Sequence, residues 1–237
     1  MTLQRVSISQ QIRERLLDRI ASGQLLPGDR VVEAEVASEM QASSIPVREA
    51  IRELVAMGIL QFAPHRGAWV RQVSLLETIQ AFQVRAVLEP LAIQTAAPRL
   101  QGKCQLLRQL ARQIVEAARQ RDFASFQHHN QMFHRAIVEA SDNQVLLRVW
   151  DSLAFEVRTR FTMDYLTQVD PVAIAREHEP IVAALDRGDA EKAAALLQSH
   201  STELVDYLRV QTNPDHDGPS APSKQPGKSR RNRIRAH

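Results

Sequence analysis

Hydrophobic residues recur every three or four positions along most of this chain, which is the spacing of one face of an α-helix. Three such stretches occupy residues 7–57 and are separated by short turns. Their apolar positions are Ile8, Ile12, Leu16, Leu17 and Ile20, then Val32, Val36, Ala37 and Met40, then Val47, Ala50, Ile51, Leu54 and Val55. Two β-like runs, 59–62 and 68–71, follow on either side of a turn. Three short helices and a two-stranded wing predict a winged helix-turn-helix.

The third predicted helix carries polar and basic residues on the side away from its apolar face. Ser43 and Ser44 stand at its start, where either can cap the free amides, and Arg48 and Arg52 follow at intervals of four residues. Small polar groups followed by arginines suit the major groove of DNA and its flanking phosphates. The alternative is that both arginines only pair with nearby glutamates on a solvated surface.

The predicted wing carries His65 and Arg66 at its tip, where a winged helix usually reaches the DNA backbone or the minor groove. Because the order of three helices and a wing is complete, we expect these residues to bind DNA rather than serve only as a solvated surface.

Residues 75 to 208 continue with helical spacing, interrupted by short connections. This pattern predicts an antiparallel all-α bundle of about six helices, so that the whole chain is mainly α. Three of the apolar faces also carry a histidine, and these are His134, His178 and His200. Asn130 precedes the first of them by one helical turn.

A single inward-facing histidine is more often a hydrogen-bonded core residue than a metal ligand. Three on the core faces of three helices change that balance, because each buried imidazole needs a partner and one metal ion would satisfy all of them. Neutral imidazoles suit zinc, nickel, iron or copper better than magnesium or calcium. We predict a divalent transition metal, with zinc or nickel first.

Composition and charge narrow the class of protein. The chain has 237 residues and a formal net charge of +3, and its single cysteine, Cys104, excludes an internal disulfide framework. Residues 211–237 hold six Lys or Arg and two Asp among Pro, Gly and Ser, which predicts a basic, disordered tail. Such a tail could also attract phosphates or a membrane surface. No secretion signal or run of eighteen apolar residues is present, so we expect a cytoplasmic protein without membrane spans.

The N-terminal stretch resembles the DNA-binding domain of GntR-family bacterial transcription regulators of the FadR-like branch. The matching residues are Pro27-Gly28, Glu33, Pro46-Val47-Arg48-Glu49-Ala50, Gly58-Ile59 and Arg66-Gly67. The resemblance implies that Arg48 contacts the groove or a phosphate and that Gly67 closes the wing. The family usually has arginines where this chain has Ala34 and Ser44, which leaves the operator sequence open.

The bundle resembles the FCD domain that follows the winged helix in this branch. The matching segments are Asn130-x-x-Phe133-His134 with Ala136-Ile137 and Asn143, Glu177-His178 with Ala183-Ala184-Leu185 and Gly188-Asp189, and His200. Metal-binding members use an acidic residue and three histidines, and water or an effector carboxylate fills the remaining positions. Here Asn130 stands at the acidic position. Its neutral carbonyl can ligate a metal, but the lost negative charge should weaken the site.

A metal ion with an open position inside a bundle favours a small carboxylate as effector. Arg85 and Glu89, four residues apart, match an arginine and a glutamate of the family. Arg85 could clamp the carboxylate in a bidentate manner or pair with Glu89 to orient the bundle. Arg158 and Arg160 are weaker candidates.

These features predict a ligand-responsive transcription regulator that binds operator DNA as a homodimer and associates with the nucleoid when bound. Its predicted parts are a DNA-binding domain at 1–73, an effector, metal and dimerisation domain at 74–210, and the tail at 211–237. A linker at 72–76 would pass the state of the bundle to the winged helix.

Two other functions stay open. One is a metal-free regulator whose cavity holds an acyl or aromatic ligand. Its cavity would be lined by Phe123, Phe126, Phe133, Trp150 and Phe155. The other is a metal-dependent hydrolase or lyase, which the sequence favours less because it offers no well-placed second acid or base and no nucleophile motif.

Overall fold

The computed structural model describes residues 7–155, 157–158 and 169–211, and the predictions for Arg160 and the tail after 211 lie outside these ranges. The described part begins with the helices α1 (Ile8–Ala21), α2 (Glu33–Glu39) and α3 (Ser44–Ala56) and the strands β1 (Arg30–Val31), β2 (Leu60–Ala63) and β3 (Gly67–Val70). The predicted mainly helical fold with a winged helix-turn-helix is confirmed.

The helices of this first region form because their apolar faces meet in one core. Ser7 caps α1 by accepting a hydrogen bond from the Gln10 amide at 3.1 Å. Ile12 and Ile20 on α1 pack in the same buried cluster as Leu54 on α3, with none of their surface exposed. The polar face of α3 is thereby left toward solvent.

The sheet has one strand more than the sequence pattern predicts. β2 and β3 form the expected antiparallel wing, but β1 pairs with the other edge of β3, which gives the order β1-β3-β2. A strand of two residues is too short to show an alternating pattern, and it forms because Val70 exchanges backbone hydrogen bonds of 2.8 Å with Gly28 and Asp29.

The second region is a helical bundle. Its described helices are α4 (Leu75–Leu100), α5 (Gln105–Gln120), α6 (Phe123–Ala140), α7 (Gln144–Ser152), α8 (Pro171–Arg176), α9 (His178–Asp186) and α10 (Ala190–Gln211). Ser74 and Glu77 form a capping box that begins α4. The long helices α4 and α10 pack along each other, and α6 packs against both α4 and α5.

The predicted next-to-last helix is divided at Glu177 into α8 and α9. Pro180 explains the break, because a proline lacks the N–H that would bond to the carbonyl of Arg176 and its ring clashes with that carbonyl. Pro180 is tolerated in the first turn of α9. The His178 ring is hydrogen-bonded to the Ala175 carbonyl at 2.9 Å and so secures the corner.

A short segment after α7 belongs to both cores. Ala154 and Val157 are buried in the winged-helix core, whereas Phe155 between them is buried in the bundle core. Arg158 donates to the Leu153 carbonyl at 2.7 Å and to the carbonyl of Met57, the C-cap residue of α3, at 3.3 Å. The two regions therefore share packing beyond the chain connection before α4.

Among the described helices, none combines the length and apolar character that a membrane crossing needs.

Candidate functional site

The three predicted histidines come together inside the bundle. His134 lies on α6, His178 is the first residue of α9, and His200 lies midway along α10. Each offers a ring nitrogen, and these three atoms lie within 4.8 Å of one another. His134 and His178 have no exposed surface and His200 is 8% exposed. The break at Glu177 allows this meeting, because it starts a new helix at His178.

Each of the three rings has its Nδ1 atom within hydrogen-bond distance of an acceptor that is not one of the other two histidines. His134 Nδ1 lies 3.0 Å from Glu89 Oε2, His178 Nδ1 lies 2.9 Å from the Ala175 carbonyl, and His200 Nδ1 lies 2.5 Å from Glu177 Oε2. Since all three partners are acceptors, a neutral ring donates from Nδ1 and keeps a free lone pair on Nε2.

The Nε2 atoms of His134 and His178 are buried and have no hydrogen-bond partner within the described structure. Buried polar atoms are normally paired, so two such atoms in one cluster call for an explanation. Ring nitrogens that converge while Nδ1 is held by an acceptor are the usual arrangement of histidine metal ligands. The donor set thus fits a transition metal ion.

Burial keeps these histidines neutral. It lowers the pKa of His134 and His178 well below the ordinary value, with smaller contributions from the charge of Arg85 and from neighbouring histidines. The pKa of His200 is lowered to about 4, first by burial and then by the charge of Arg85. Neutral imidazoles are the form that binds a metal, so no proton has to be removed at neutral pH.

Behind His134 lies a buried polar network around Glu89. Its Oε1 atom accepts from Arg85 Nε at 2.8 Å and from Trp150 Nε1 at 3.0 Å, while its Oε2 atom faces His134. The ion pair that the sequence offered as one role of Arg85 is therefore formed. Glu89 does not line the adjacent cavity, so its place in the structure is that of a support for Arg85 and His134.

A cavity of about 190 Å³ opens beside the histidines. Its polar wall includes Arg85, Asn130 and His200, and the Nη2 atom of Arg85 is buried without a hydrogen-bond partner in the described chain. Asn130 faces the same space as His200, which is compatible with its predicted role. That Asn130 ligates a metal stays a prediction.

Glu177 has a place in the site that the sequence analysis does not foresee. It lines the cavity, and its Oε2 atom accepts the hydrogen bond from the His200 ring. Burial raises the pKa of its carboxyl group. The helix break moves Glu177 out of the helical register from which its direction would be inferred, and Pro180 is the sequence signal that marks the break.

Arg158 is the other residue whose place differs from the sequence hypothesis. It lies at the contact between α3 and the bundle rather than at the cavity. Phe155 connects this contact to the cavity, because its ring centroid lies 4.8 Å from the Arg85 guanidinium carbon and 5.4 Å from the Phe82 ring.

The N-terminus of α3 forms an exposed polar surface. Ser43 and Ser44 are exposed, and Ser43, at the N-cap position, makes no capping hydrogen bond with its side chain within the described structure, contrary to one sequence expectation. Arg48 Nε pairs with Glu33 Oε2 of α2 at 2.7 Å, and the Arg48 side chain remains 58% exposed. Arg52, one turn later, is also exposed. These side chains are accessible to a DNA groove.

The wing tip is built by backbone conformations that few residues adopt. His65 has a φ of 62° and Gly67 a φ of 78°, which turn the chain between β2 and β3. Arg66 is exposed, its carbonyl accepts from Arg30 Nη2 at 2.8 Å, and its guanidinium carbon lies 5.5 Å from the centre of the Trp69 ring. His65 and Arg66 are thus presented at the tip, as the sequence predicts for a DNA contact.

Comparison with known proteins finds a known domain in each of the two regions. Residues 8–70 match the family described as bacterial regulatory proteins, gntR family, and residues 80–203 match the FCD domain. Over 198 residues, covering 84% of this chain and 87% of the relative, the chain is 35% identical to the "Probable D-xylose utilization operon transcriptional repressor" of Paenarthrobacter nicotinovorans. It is 26% identical over 208 residues to the HTH-type transcriptional repressor RspR of Escherichia coli, covering 85% and 89% of the two chains.

Among solved structures, E. coli McbR/YncC is similar along 88% of this chain and 100% of its own, with 26% identity and a TM-score of 0.72. Matches to both domains in the expected order, together with this relative of the full architecture, confirm a regulator rather than an enzyme. The chain belongs to the GntR family of bacterial transcription regulators and carries an FCD domain after its winged helix-turn-helix.

Proposed function

We propose that this protein is a transcriptional repressor that binds operator DNA as a homodimer and senses a small carboxylate at a metal-containing centre of its FCD domain. One observation carries the sensing part. Three neutral histidines bring ring nitrogens within 4.8 Å of one another beside a cavity that Arg85 also lines, and the Nε2 atoms of His134 and His178 have no partner in the described structure. Two of the relatives named above are described as repressors, and we therefore propose repression rather than activation.

His134, His178 and His200 would hold the metal ion, and Asn130 would be a fourth, neutral ligand. A bound zinc or nickel ion would supply a positive charge that attracts a carboxylate oxygen. Glu89, the Ala175 carbonyl and Glu177 each fix one ring through Nδ1, which orients Nε2 before any ion binds. Arg85, supported by Glu89, would donate a hydrogen bond to the carboxylate from its unpaired Nη2 atom.

DNA binding would use α3 and the wing. Ser43, Ser44, Arg48 and Arg52 would enter the major groove or meet its phosphates. His65, Arg66 and Gly67 would approach the backbone or the minor groove from the wing. Two copies are needed to meet two half-sites of an operator.

The bundle offers a surface for the second copy. Val84, Val87 and Leu91 recur along one side of α4 and are 43%, 66% and 47% exposed. An apolar stripe of this kind on a long helix is expensive to leave in water and is typical of an interface. We therefore assign the homodimer contact to this side of α4.

The signal would pass from the cavity to α3 through the segment after α7. A carboxylate bound to Arg85 would weaken the cation–π interaction between the guanidinium and the Phe155 ring, whose centroid lies 4.8 Å from the guanidinium carbon. Ala154 and Val157, on either side of Phe155 in sequence, are buried in the winged-helix core, and Arg158 bonds the end of α3. This path adds to the linker at 72–76, where Arg71 pairs with Glu77 of α4 and donates to the Gly58 carbonyl at 3.0 Å. Coupling of this kind requires the ligand to favour one arrangement of the two regions.

The test is metal content per chain, measured after gentle purification and after reconstitution with zinc or nickel. We expect about one ion per wild-type chain and its loss in the double variant His134→Ala/His178→Ala. His128→Ala is the matched control, because this exposed histidine lies on the same helix as His134. Glu177→Gln should keep the fold and weaken metal binding about ten- to hundredfold.

A second arm measures DNA binding by gel shift on a fragment that the wild-type protein selects from genomic DNA. Failure to select any fragment would contradict the repressor. Retained DNA binding with no metal after reconstitution would contradict the metal centre and favour a metal-free cavity for an acyl or aromatic ligand. The apolar side chains of the cavity would then carry the recognition.

A further inference from the structure

The lining of the cavity beside the histidines is divided between polar and apolar side chains. Among the polar ones, Arg85 Nη2 and Ser201 Oγ are both buried and have no hydrogen-bond partner in the described structure. The apolar ones include Phe126, Ile174 and Leu204. A ligand that satisfies both kinds of lining carries an anionic head and an apolar body.

From this division we propose that the effector is a monocarboxylate with an aromatic ring or a short acyl chain. The inference rests on the proposed function of the same site and adds the chemical class of the ligand. The carboxylate lies toward Arg85, Ser201 and the histidines, and the ring or chain lies against Phe126, Ile174 and Leu204.

The volume agrees with a ligand of this size. A cavity of about 150 Å³ lined by apolar side chains accepts benzene, and this cavity measures about 190 Å³. The difference leaves room for one carboxylate on a six-membered ring or on a chain of similar bulk. A nucleotide or a coenzyme A thioester is far too large to be enclosed.

The charges around the cavity oppose a second carboxylate on the ligand. Glu177 and Glu203 line it as well, and Arg85 is the one basic residue among its described lining side chains apart from His200, which is neutral. Arg85 is already paired with Glu89. Once one carboxylate is shared by the metal ion and Arg85, the second negative group of a dicarboxylate would lie among apolar or acidic side chains, and like charges brought together reduce affinity.

Isothermal titration of the full-length, zinc-reconstituted protein tests the proposal with benzoate, hexanoate and succinate as probes. We expect benzoate and hexanoate to bind about ten- to hundredfold more tightly than succinate, since burial of the ring or chain is the main gain. Tighter binding of succinate, or binding of none of the three, would overturn the proposed ligand class.

Two variants and one control variant separate the contribution of apolar contact from that of charge. Ile174→Ser should weaken benzoate binding and leave succinate unchanged, whereas Val172→Ser, on the same helix but outside the cavity lining, should change neither. Glu203→Gln removes one negative charge at an exposed position and should improve succinate binding relative to benzoate. If Ile174→Ser weakened the binding of benzoate and succinate equally, the proposed contact between the ligand and the apolar lining would be contradicted.

These outcomes separate the ligand class from the function on which it rests. Metal content and binding to the selected DNA fragment are measured on the same preparations. If both persist while succinate is preferred, the ligand class is wrong and the metal-containing repressor stands. If the metal is absent, the proposed centre fails whatever ligand binds.

Discussion

Each of the two regions of this molecule holds an arginine–glutamate pair, and the two pairs have nearly identical N–O distances. Arg48 Nε lies 2.7 Å from Glu33 Oε2 on the surface of α2 and α3 that we propose as DNA-facing, and Arg85 Nε lies 2.8 Å from Glu89 Oε1 in the bundle. The first pair has side chains 58% and 38% exposed, and the second has 2% and 0%. Because the N–O distances are alike, we attribute the different roles of the two pairs to their different exposure to solvent.

An exposed pair is exchanged at small cost, because water and salt replace either partner. Arg48 can therefore leave Glu33 for a DNA phosphate. A buried pair cannot be opened without leaving a charge unpaired in a medium that solvates it poorly. Arg85 and Glu89 therefore hold one geometry and transmit it to His134. The surface pair is suited to exchange of partners, and the buried pair to alignment of a site.

The largest expected effect comes from removing one acid of each pair. Glu89→Ala leaves the Arg85 charge and the His134 and Trp150 hydrogen-bonding groups without their acceptor, so we expect a loss of about 3–5 kcal/mol in unfolding free energy. Glu33→Ala, the matched surface change, should cost less than about 1 kcal/mol. Urea unfolding of both variants measures the contrast, and equal losses would remove the distinction between the pairs.

Acid should act on the buried region of the metal-free protein through its histidines. The pKa of His200 is about 4 in the folded chain, below the ordinary 6.5, so the folded state binds fewer protons than the unfolded chain between these values. The contribution of neutral His200 to the free energy of unfolding is therefore fully present above pH 6.5 and is lost as the pH falls toward 4. Between pH 7 and 5, His200 alone should account for about 2 kcal/mol, and His134 and His178 act in the same direction.

Urea midpoints of the metal-free wild type and of His200→Asn, at pH 7 and 5, measure this loss. The variant should lose less stability than the wild type over the same interval. A wild-type midpoint that rises between pH 7 and 5 would contradict the burial of neutral imidazoles.

On the DNA-facing surface we expect Arg48→Ala to lower operator affinity about ten- to hundredfold while metal content and unfolding free energy stay at wild-type values. If Arg48 meets a phosphate, the salt dependence of binding should also become shallower by about one unit of log–log slope. Gel shifts on the selected fragment at several salt concentrations measure both. Unchanged affinity would show that Arg48 only pairs with Glu33.

The comparison also explains what the sequence could predict. The periodicity of α1, α3 and α6 is sufficient to place His134 and Arg48 on opposite kinds of face, because helical spacing assigns sides. It does not give the partner of Arg48, which comes from α2 rather than from its own helix. β1 and the bond from Arg158 to Met57 depend on long-range packing, which local spacing does not reveal. The break at Glu177 has a local signal in Pro180, but hydrophobic spacing alone runs through it.

The smallest expected effect concerns the connection between the two regions. Arg158→Ala removes the bonds to Met57 and Leu153 but leaves the cavity and the DNA-facing surface intact. We expect ligand-free DNA affinity to change little, while the change in DNA affinity caused by the ligand shrinks by about 0.5–2 kcal/mol. Gel shifts with and without benzoate measure this difference, and Arg148→Ala, on exposed α7 surface, is the control. If benzoate alters DNA affinity equally in the wild type and in Arg158→Ala, the linker at 72–76 carries the coupling without Arg158. A smaller response in Arg158→Ala with unchanged benzoate binding would show that the buried site acts on the DNA-binding region through the segment after α7.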